Sequence, residues 1–273
     1  MVDVVYRAGS DLRNPTRFLR AAAADLVTAG PIGWRLFQRH ARTRYRRAWL
    51  GYLWLVLPAA ASALLCTLVR SQRLVTVGPT VLPYPVYVLS GVIFWQLFVE
   101  ALTAPLQHLN EARPMITRSG LPAEGVFMAA LIALLLTAAV RLAVLAAALL
   151  LFGVELSAWA LLVPLGAVSL ILLGFAIGLL VAPVGMLYDD VSQAITLGTG
   201  FILFVTPVLY PIPYRGAFRL NPVTPLLDSS RGWLIGAAAS PGLFPVVVGS
   251  ALAVVAGWLI FRAARPHVVE RLC

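Results

Sequence analysis

The chain has 273 residues, of which 60% are hydrophobic and 12% charged, against about 25% charged in soluble domains; its mean hydropathy is +0.89. That composition excludes a soluble globular domain and defines an integral membrane protein, so the net charge of +10 reads first as arginine held on one side of a bilayer and not as a nucleic-acid footprint. All 21 basic residues are arginine, which excludes a P-loop ATPase and a Schiff-base enzyme, because both need a lysine amine.

The first segment, 1–48, is Arg-rich and lacks the apolar stretch of a signal peptide, so no cleavable signal is expected. Asn14-Pro15 offers an N-cap followed by a proline at the first helical position, and Gly30-Pro31 is expected to end that first amphipathic helix. In the next, Arg35, Arg39, Arg42 and Arg46 recur at spacings of four, three and four, one stripe of a helix, while Trp34, Phe37, Ala41, Tyr45 and Ala48 fall on another arc. A basic stripe beside an aromatic arc fits a helix lying in the headgroup plane, where it would receive an anionic headgroup. A plain positive-inside anchor is the other reading.

Six apolar runs follow, each near the roughly 20 residues that a span needs: 49–69, 86–104, 126–152, 158–184, 191–211 and 243–262, with a tail at 263–273. Runs this long and apolar predict helices and so an all-α polytopic protein. Segments 1–48, 105–125 and the tail with its flanking Arg262 hold fifteen arginines, and the opposite connections hold five (Arg70, Arg73, Arg215, Arg219, Arg231). That bias predicts both termini on the cytoplasmic side. Segment 213–242 has prolines at 213, 222, 225 and 241 beside Leu226, Leu227, Trp233, Leu234 and Ile235. It is too apolar for a solvated loop and too broken to span. Re-entrant or interfacial half-helices fit it if protein covers them, and an outer surface loop is the alternative.

Several residues invite a chemical role. Arg141 lies deep in the third span, where an ionisable group either faces a conduit or pairs within the protein. The nearest carboxylate on the second span is Glu100, but counting along helices puts the two about 10–15 Å apart in depth, which argues against a direct bond within one subunit. Asp189-Asp190 suggests a magnesium site, yet adjacent residues on a helix point about 100° apart and no second acidic cluster accompanies them; a turn or a subunit contact is the other reading. His40, His108 and His267 are distant from one another in sequence and carry no nucleophile spacing. Cys66 sits in a span and Cys273 ends the chain, so neither a disulfide framework nor a metal site is indicated. Tyr87, Phe94, Trp95, Phe98, Phe201 and Phe204 offer stacking faces for sugar rings, or ordinary packing and interfacial belts.

Four stretches place the chain further. Arg44-Tyr45-Arg46 with Leu50-Gly51, Trp54 and Pro58 begins the series; Tyr87, Gly91, Trp95 and Phe98 follow in the second span; Asn110, Ile116 and Leu121-Pro122 lie in the connection after it. Last come Asp190-Val191, Thr206-Pro207-Val208-Leu209-Tyr210-Pro211 and Asn221-Pro222 with Arg231. In this order, from about residue 35 to 262, the pattern resembles the permease subunits of type-2 ABC exporters, closest to the branch that exports polysaccharides such as O-antigen and teichoic acid. Where that family usually has Arg-Asp after the fourth span, this chain has Asp189-Asp190.

The resemblance implies a homodimer joined to two separate ABC ATPase subunits in the cytoplasmic membrane of a bacterium, with no nucleic acid bound. ATP and magnesium then belong to the ATPase, and no cofactor is expected in this chain. It also implies a conduit for a polyprenyl-pyrophosphate-linked glycan, with Arg141 and the six aromatics above as lining candidates. The 105–123 connection would carry the ATPase-coupling element, with Asn110, Glu111, Arg113, Ile116, Arg118, Asp189 and Asp190 as candidates; a simple connector is the alternative. Two other functions compete: a type-2 exporter of drugs or lipids, and a membrane enzyme acting on polyprenyl-pyrophosphate lipids, which would need acidic clusters that the sequence lacks.

Overall fold

The computed structural model describes residues 15–46, 53–71, 80, 82–119, 122–211 and 220–272, with side chains placed except at 15, 17, 19, 21–22, 41–46, 53–56, 116–119 and 265–272. Among the described residues there is no strand. The helices are α1 (Pro15–Arg46), α2 (Leu53–Ser71), α3 (Tyr84–Ser119), α4 (Ala123–Leu151), α5 (Val163–Gly185), α6 (Asp190–Val205), α7 (Val223–Leu234) and α8 (Leu243–Leu272), with a 3₁₀ turn at Ala158–Leu162 leading into α5. The six apolar runs fall on α2 to α6 and α8. Tyr84–Met115, Ala123–Leu151, Ala158–Gly185 and Leu243–Ala264 are long and apolar enough to cross a membrane, whereas Leu57–Ser71 and Asp190–Val205 are shorter apolar helices.

The centre of the molecule is the α3–α5 pair, where small residues let two backbones approach. A Cβ on Gly174 would lie 2.4 Å from the Phe98 carbonyl oxygen, and one on Gly178 would lie 2.4 Å from that of Leu102. Around this seam Phe94, Ile93, Leu97, Phe175, Leu170, Ile171 and Leu179 are fully buried, and close packing is what joins helices when lipid tails are as apolar as the side chains. The opposite surfaces of α4 and α8 expose Leu135, Leu136, Leu252, Val255 and Ile260, the composition expected of a face toward lipid.

Two expectations change. Gly30-Pro31 does not end a helix: α1 runs through it. A proline there forfeits one backbone bond, but α1 is held on both sides of it, because Ile32 meets Gly125 and Gly33 meets Met128 of α4 while Asp25 takes a salt bridge from Arg262 of α8. The 105–123 connection is not a loop either, since α3 continues through Pro105 and Pro114 to Ser119. Its buried Leu106, Leu109 and Ala112 give this extension an apolar side, with Leu106 lying over Gly185 at the end of α5.

The chain direction sets two ends. One gathers α1, the end of α3, the starts of α4 and α6 and the end of α8. The other gathers the start of α3, the ends of α4 and α6, and α7. At this second end α7 is enclosed rather than solvated, with Val223–Leu227, Ser229–Arg231, Trp233 and Leu234 all buried. Gly166 of α5 sits against Ser230 and Trp233, and the Leu234 carbonyl accepts the amide of Ser157 at 3.0 Å.

Candidate functional site

Where α6 stops, its last carbonyls lose their helical partners, and the residues just beyond supply replacements. The Thr206 hydroxyl donates to Ile202 O at 2.8 Å, the Thr206 amide to Leu203 O at 3.3 Å, and the Tyr210 hydroxyl to Phe204 O. Asn221 then ties the turn to the next helix. Its Nδ2 donates to Thr206 Oγ1 at 2.8 Å, and its Oδ1 accepts the amide of Val223, the first residue of α7, at 3.0 Å.

That leaves the carbonyls of Pro207 and Val208 pointing into the protein, where Arg231 of α7 meets them. Its Nη1 donates to Pro207 O and its Nη2 to Val208 O at 2.8 Å and to Tyr87 O of α3 at 2.9 Å. The Nε donates to Ser90 Oγ at 3.2 Å. The guanidinium lies 3.7 Å from the centroid of the Tyr87 ring, and the Tyr87 hydroxyl donates to Pro207 O at 3.3 Å. Arg231 is 2% exposed. A cation this deep is stable only when its donors are met, and here carbonyl dipoles, a hydroxyl and an aromatic face meet them. Gly91 makes the room, since a Cβ there would fall 2.0 Å from Arg231 Nη2 and 2.4 Å from Val208 O. Asp228, one turn before Arg231, carries a carboxyl that burial pushes up to about 6 against the opposing pull of the Arg231 charge.

Tyr87, Gly91, Thr206 to Tyr210, Asn221 and Arg231, scattered over 145 residues of sequence, thus build one polar junction. Arg231 was legible beforehand only as a motif member and as one of five outward arginines. An arginine flanked by Leu226, Leu227, Trp233 and Leu234 was the signal that marked it for burial.

The body of the bundle holds a different arrangement. Arg141, 3% exposed, grips Glu100 in a bidentate pair at 3.1 and 2.6 Å. The expectation that their depths forbid a bond is therefore corrected, because counting residues from helix ends ignores the stagger of α3 against α4 and the reach of two long side chains. At the α1 end, Arg262 bridges Asp25 at 2.6 Å and Glu124 at 2.8 Å, joining α1, α4 and α8. In the sequence Arg262 stands only among the arginines that set the topology, and Asp25 and Glu124 carry no motif. His40 and His108, remote in sequence, stack edge-on at 5.9 Å, with Glu111 3.9 Å from His40 Nε2.

The other candidates separate into groups. Tyr87, Phe94, Trp95 and Phe98 lie together in the core of the chain, with the Trp95 and Phe98 rings 5.4 Å apart. Phe201 and Phe204 are 73% and 60% exposed on α6, so these two sets do not share a surface. Asn110, Glu111 and Arg113 are exposed on the α3 extension, and Asp189 and Asp190 are exposed where α6 begins, at the same end of the molecule. Arg35 and Arg39 are exposed on α1. The side chains of Arg42, Arg44, Tyr45, Arg46, Trp54, Ile116 and Arg118 lie outside the described set, as do residues 47–51 and 212–219. Among the described residues no group of three or more His, Cys, Asp or Glu could hold a metal ion.

Fold and composition together define a polytopic helical membrane protein. The chain is similar to the O-antigen export system permease protein RfbA of Myxococcus xanthus, 24% identical over 253 residues that cover 87% of this chain and 94% of that protein. An all-helical fold with several apolar helices fits a permease of polysaccharide export. No protein-family model matches the chain.

Proposed function

We propose that the chain is the transmembrane permease subunit of an ATP-driven ABC exporter that moves a lipid-linked polysaccharide across the cytoplasmic membrane of a bacterium. One observation carries this reading: the similarity to an O-antigen export permease runs nearly the full length of both chains. The absence of lysine from the sequence agrees, because ATP hydrolysis with its magnesium then belongs to a separate ATPase.

In this reading residues 1–48 form a cytoplasmic amphipathic segment, 49–262 the permease domain and 263–273 a cytoplasmic tail. Six spans are α2 to α6 and α8, and α7 is a re-entrant helix enclosed by protein. Two copies assemble around the conduit. The exposed apolar surfaces of α2 (Leu64, Leu65, Leu68) and α6 (Leu197, Phe201, Phe204) supply both the subunit contact and the conduit wall, with Phe201 and Phe204 as stacking faces for sugar. Tyr87, Phe94, Trp95 and Phe98 back that wall from within each copy, and Arg141, neutralised by Glu100, is structural. Asn110, Glu111 and Arg113 on the α3 extension, with Asp189 and Asp190, face the two ATPase subunits. Arg35 and Arg39 meet the pyrophosphate headgroup at the entrance, each basic side chain contributing about 1 kcal/mol near an anionic surface.

The test is reconstitution. The chain purified alone hydrolyses no ATP; joined to the ABC ATPase of its host it forms a stable complex whose turnover rises with lipid-linked glycan. ATP turnover by the pure chain, or failure to bind any ABC ATPase, overturns the reading.

A further inference from the structure

Helix α6 is the least enclosed of the central helices. Thr199 is its one buried residue, and it leans on the core through the partly buried Val191, Ile195 and Leu203. With Thr199 these recur every four residues, a stripe one side chain wide. Such a stripe fixes which face a helix shows but resists tilting poorly, because a ridge one residue wide has no second row to oppose rotation. The start of α6 adds little: neither Asp189 nor any other side chain caps it, and both aspartates are exposed.

Its other end is held very differently. Within three residues of the last helical turn, the carbonyls of Pro207 and Val208 are bound by Arg231, whose remaining donors are bound to Tyr87 and Ser90 of α3. The Thr206 hydroxyl is bound by Asn221 at the start of α7. Both α3 and α7 are buried in the core, so the turn is strapped to rigid elements by a fully desolvated cation.

We propose that Arg231 is a positioning residue that fixes the Thr206–Val208 turn as the pivot of α6, so that α6 tilts about this end while its Asp189 end swings. The assignment deepens the permease reading and rests on it for the consequence in export, but the pivot itself stands on these contacts. A helix exposing Phe201 and Phe204 beside the conduit, pinned at the α7 end and loosely seated at the end facing the ATPase, converts a push at Asp189-Asp190 into a change of conduit width without unfolding. Residue 231 must then be a planar multi-donor cation, since a lysine ammonium cannot reach three carbonyls and a hydroxyl on two elements at once.

Amide hydrogen exchange on the full-length chain in lipid nanodiscs, beside export measured in cells, tests this. Arg231→Gln accelerates exchange at residues 203–210 about tenfold or more, as expected when charge-assisted bonds holding a segment are lost, while the α5 core at 170–182 stays within about twofold of the parent. Gly91→Ala produces the same local pattern without altering charge, because the new methyl group occupies the position of the Arg231 Nη2 contact. Tyr87→Phe, which removes the hydroxyl and leaves the ring beneath the guanidinium, gives a smaller rise at the same amides and keeps the proposal testable where the other variants do not fold. Surface glycan falls in the same order. Unchanged exchange at 203–210, or a parallel rise across 170–182, overturns the pivot and makes Arg231 a general brace of the fold. A parent protein that exports no glycan removes the permease reading and leaves the exchange pattern to decide the pivot.

Discussion

Arg141 and Arg231 are buried to nearly the same degree, yet the protein neutralises them in opposite ways. Arg141 meets one carboxylate in a bidentate pair between two long helices. Arg231 meets three carbonyls, a hydroxyl and a ring drawn from α3 and from the turn after α6. The first is a bidentate ion pair that joins α3 to α4. The second donates to the carbonyls of Pro207 and Val208 beyond the end of α6 and to Tyr87 O and Ser90 Oγ of α3, so it ties the turn to that helix. A buried ion pair is a local brace; a buried arginine among carbonyls is a junction.

Mutations separate the two. Arg231→Leu takes the guanidinium from the carbonyls of Tyr87, Pro207 and Val208 at once and should cost about 3–5 kcal/mol, the largest effect expected. No single second substitution should restore it, and thermal unfolding in detergent with folded yield is the measurement. Glu100→Gln leaves the Arg141 charge buried without its carboxylate and should cost about 3 kcal/mol. Here the double change Glu100→Leu with Arg141→Leu should recover most of the loss, because it removes both charges together. If the double variant is as unstable as Glu100→Gln, the pair is wired into something larger and the contrast with Arg231 weakens.

The junction at the α1 end gives a third case. Arg262 is largely buried and shared by Asp25, itself partly exposed, and Glu124, so Arg262→Gln should cost about 1–2 kcal/mol. It should loosen α1 before the body, seen as faster proteolysis between residues 20 and 40 at an unchanged unfolding midpoint for the remainder.

The smallest effect is one of pH. Asp228 titrates near 6 in the fold against 3.8 as its ordinary value. A carboxyl with a raised native value holds its proton more tightly folded than unfolded, so stability declines as pH rises from about 4 to 6 and the loss is complete above that. Asp228→Asn should abolish that slope and unfold at a higher temperature than the parent at pH 7.5. A parent that gains stability over this interval would show that Arg231 outweighs the desolvation of Asp228.

Much of this was legible in the sequence, for identifiable reasons. An apolar run of the needed length has one solution in lipid, so the all-helical class and the placement of α3, α4, α5 and α8 follow from hydropathy. The prolines and leucines of 213–242 anticipated that α7 needed cover. What failed was anything set by one helix against another. Gly30-Pro31 reads as a stop because local chemistry says so, and only the contacts of Ile32, Gly33 and Asp25 with α4 and α8 carry the helix through. The depth argument against Arg141–Glu100 failed because stagger is not encoded in either helix alone. The motif residues stand in separate stretches of the sequence; that Tyr87, Gly91, Thr206, Asn221 and Arg231 meet is a property of the packing. Arg262, Asp25 and Glu124 read as ordinary flanking charges, and no spacing joins residues from three distant helices.

The most direct test of the central claim is made in the cell. Delete the gene in its host, then quantify the long-chain glycan at the surface and the lipid-linked glycan retained inside, with and without the parent gene restored. An export permease gives loss of surface glycan with accumulation of the lipid-linked form inside, both reversed by the parent gene. Unchanged surface glycan, with nothing accumulating inside, contradicts it.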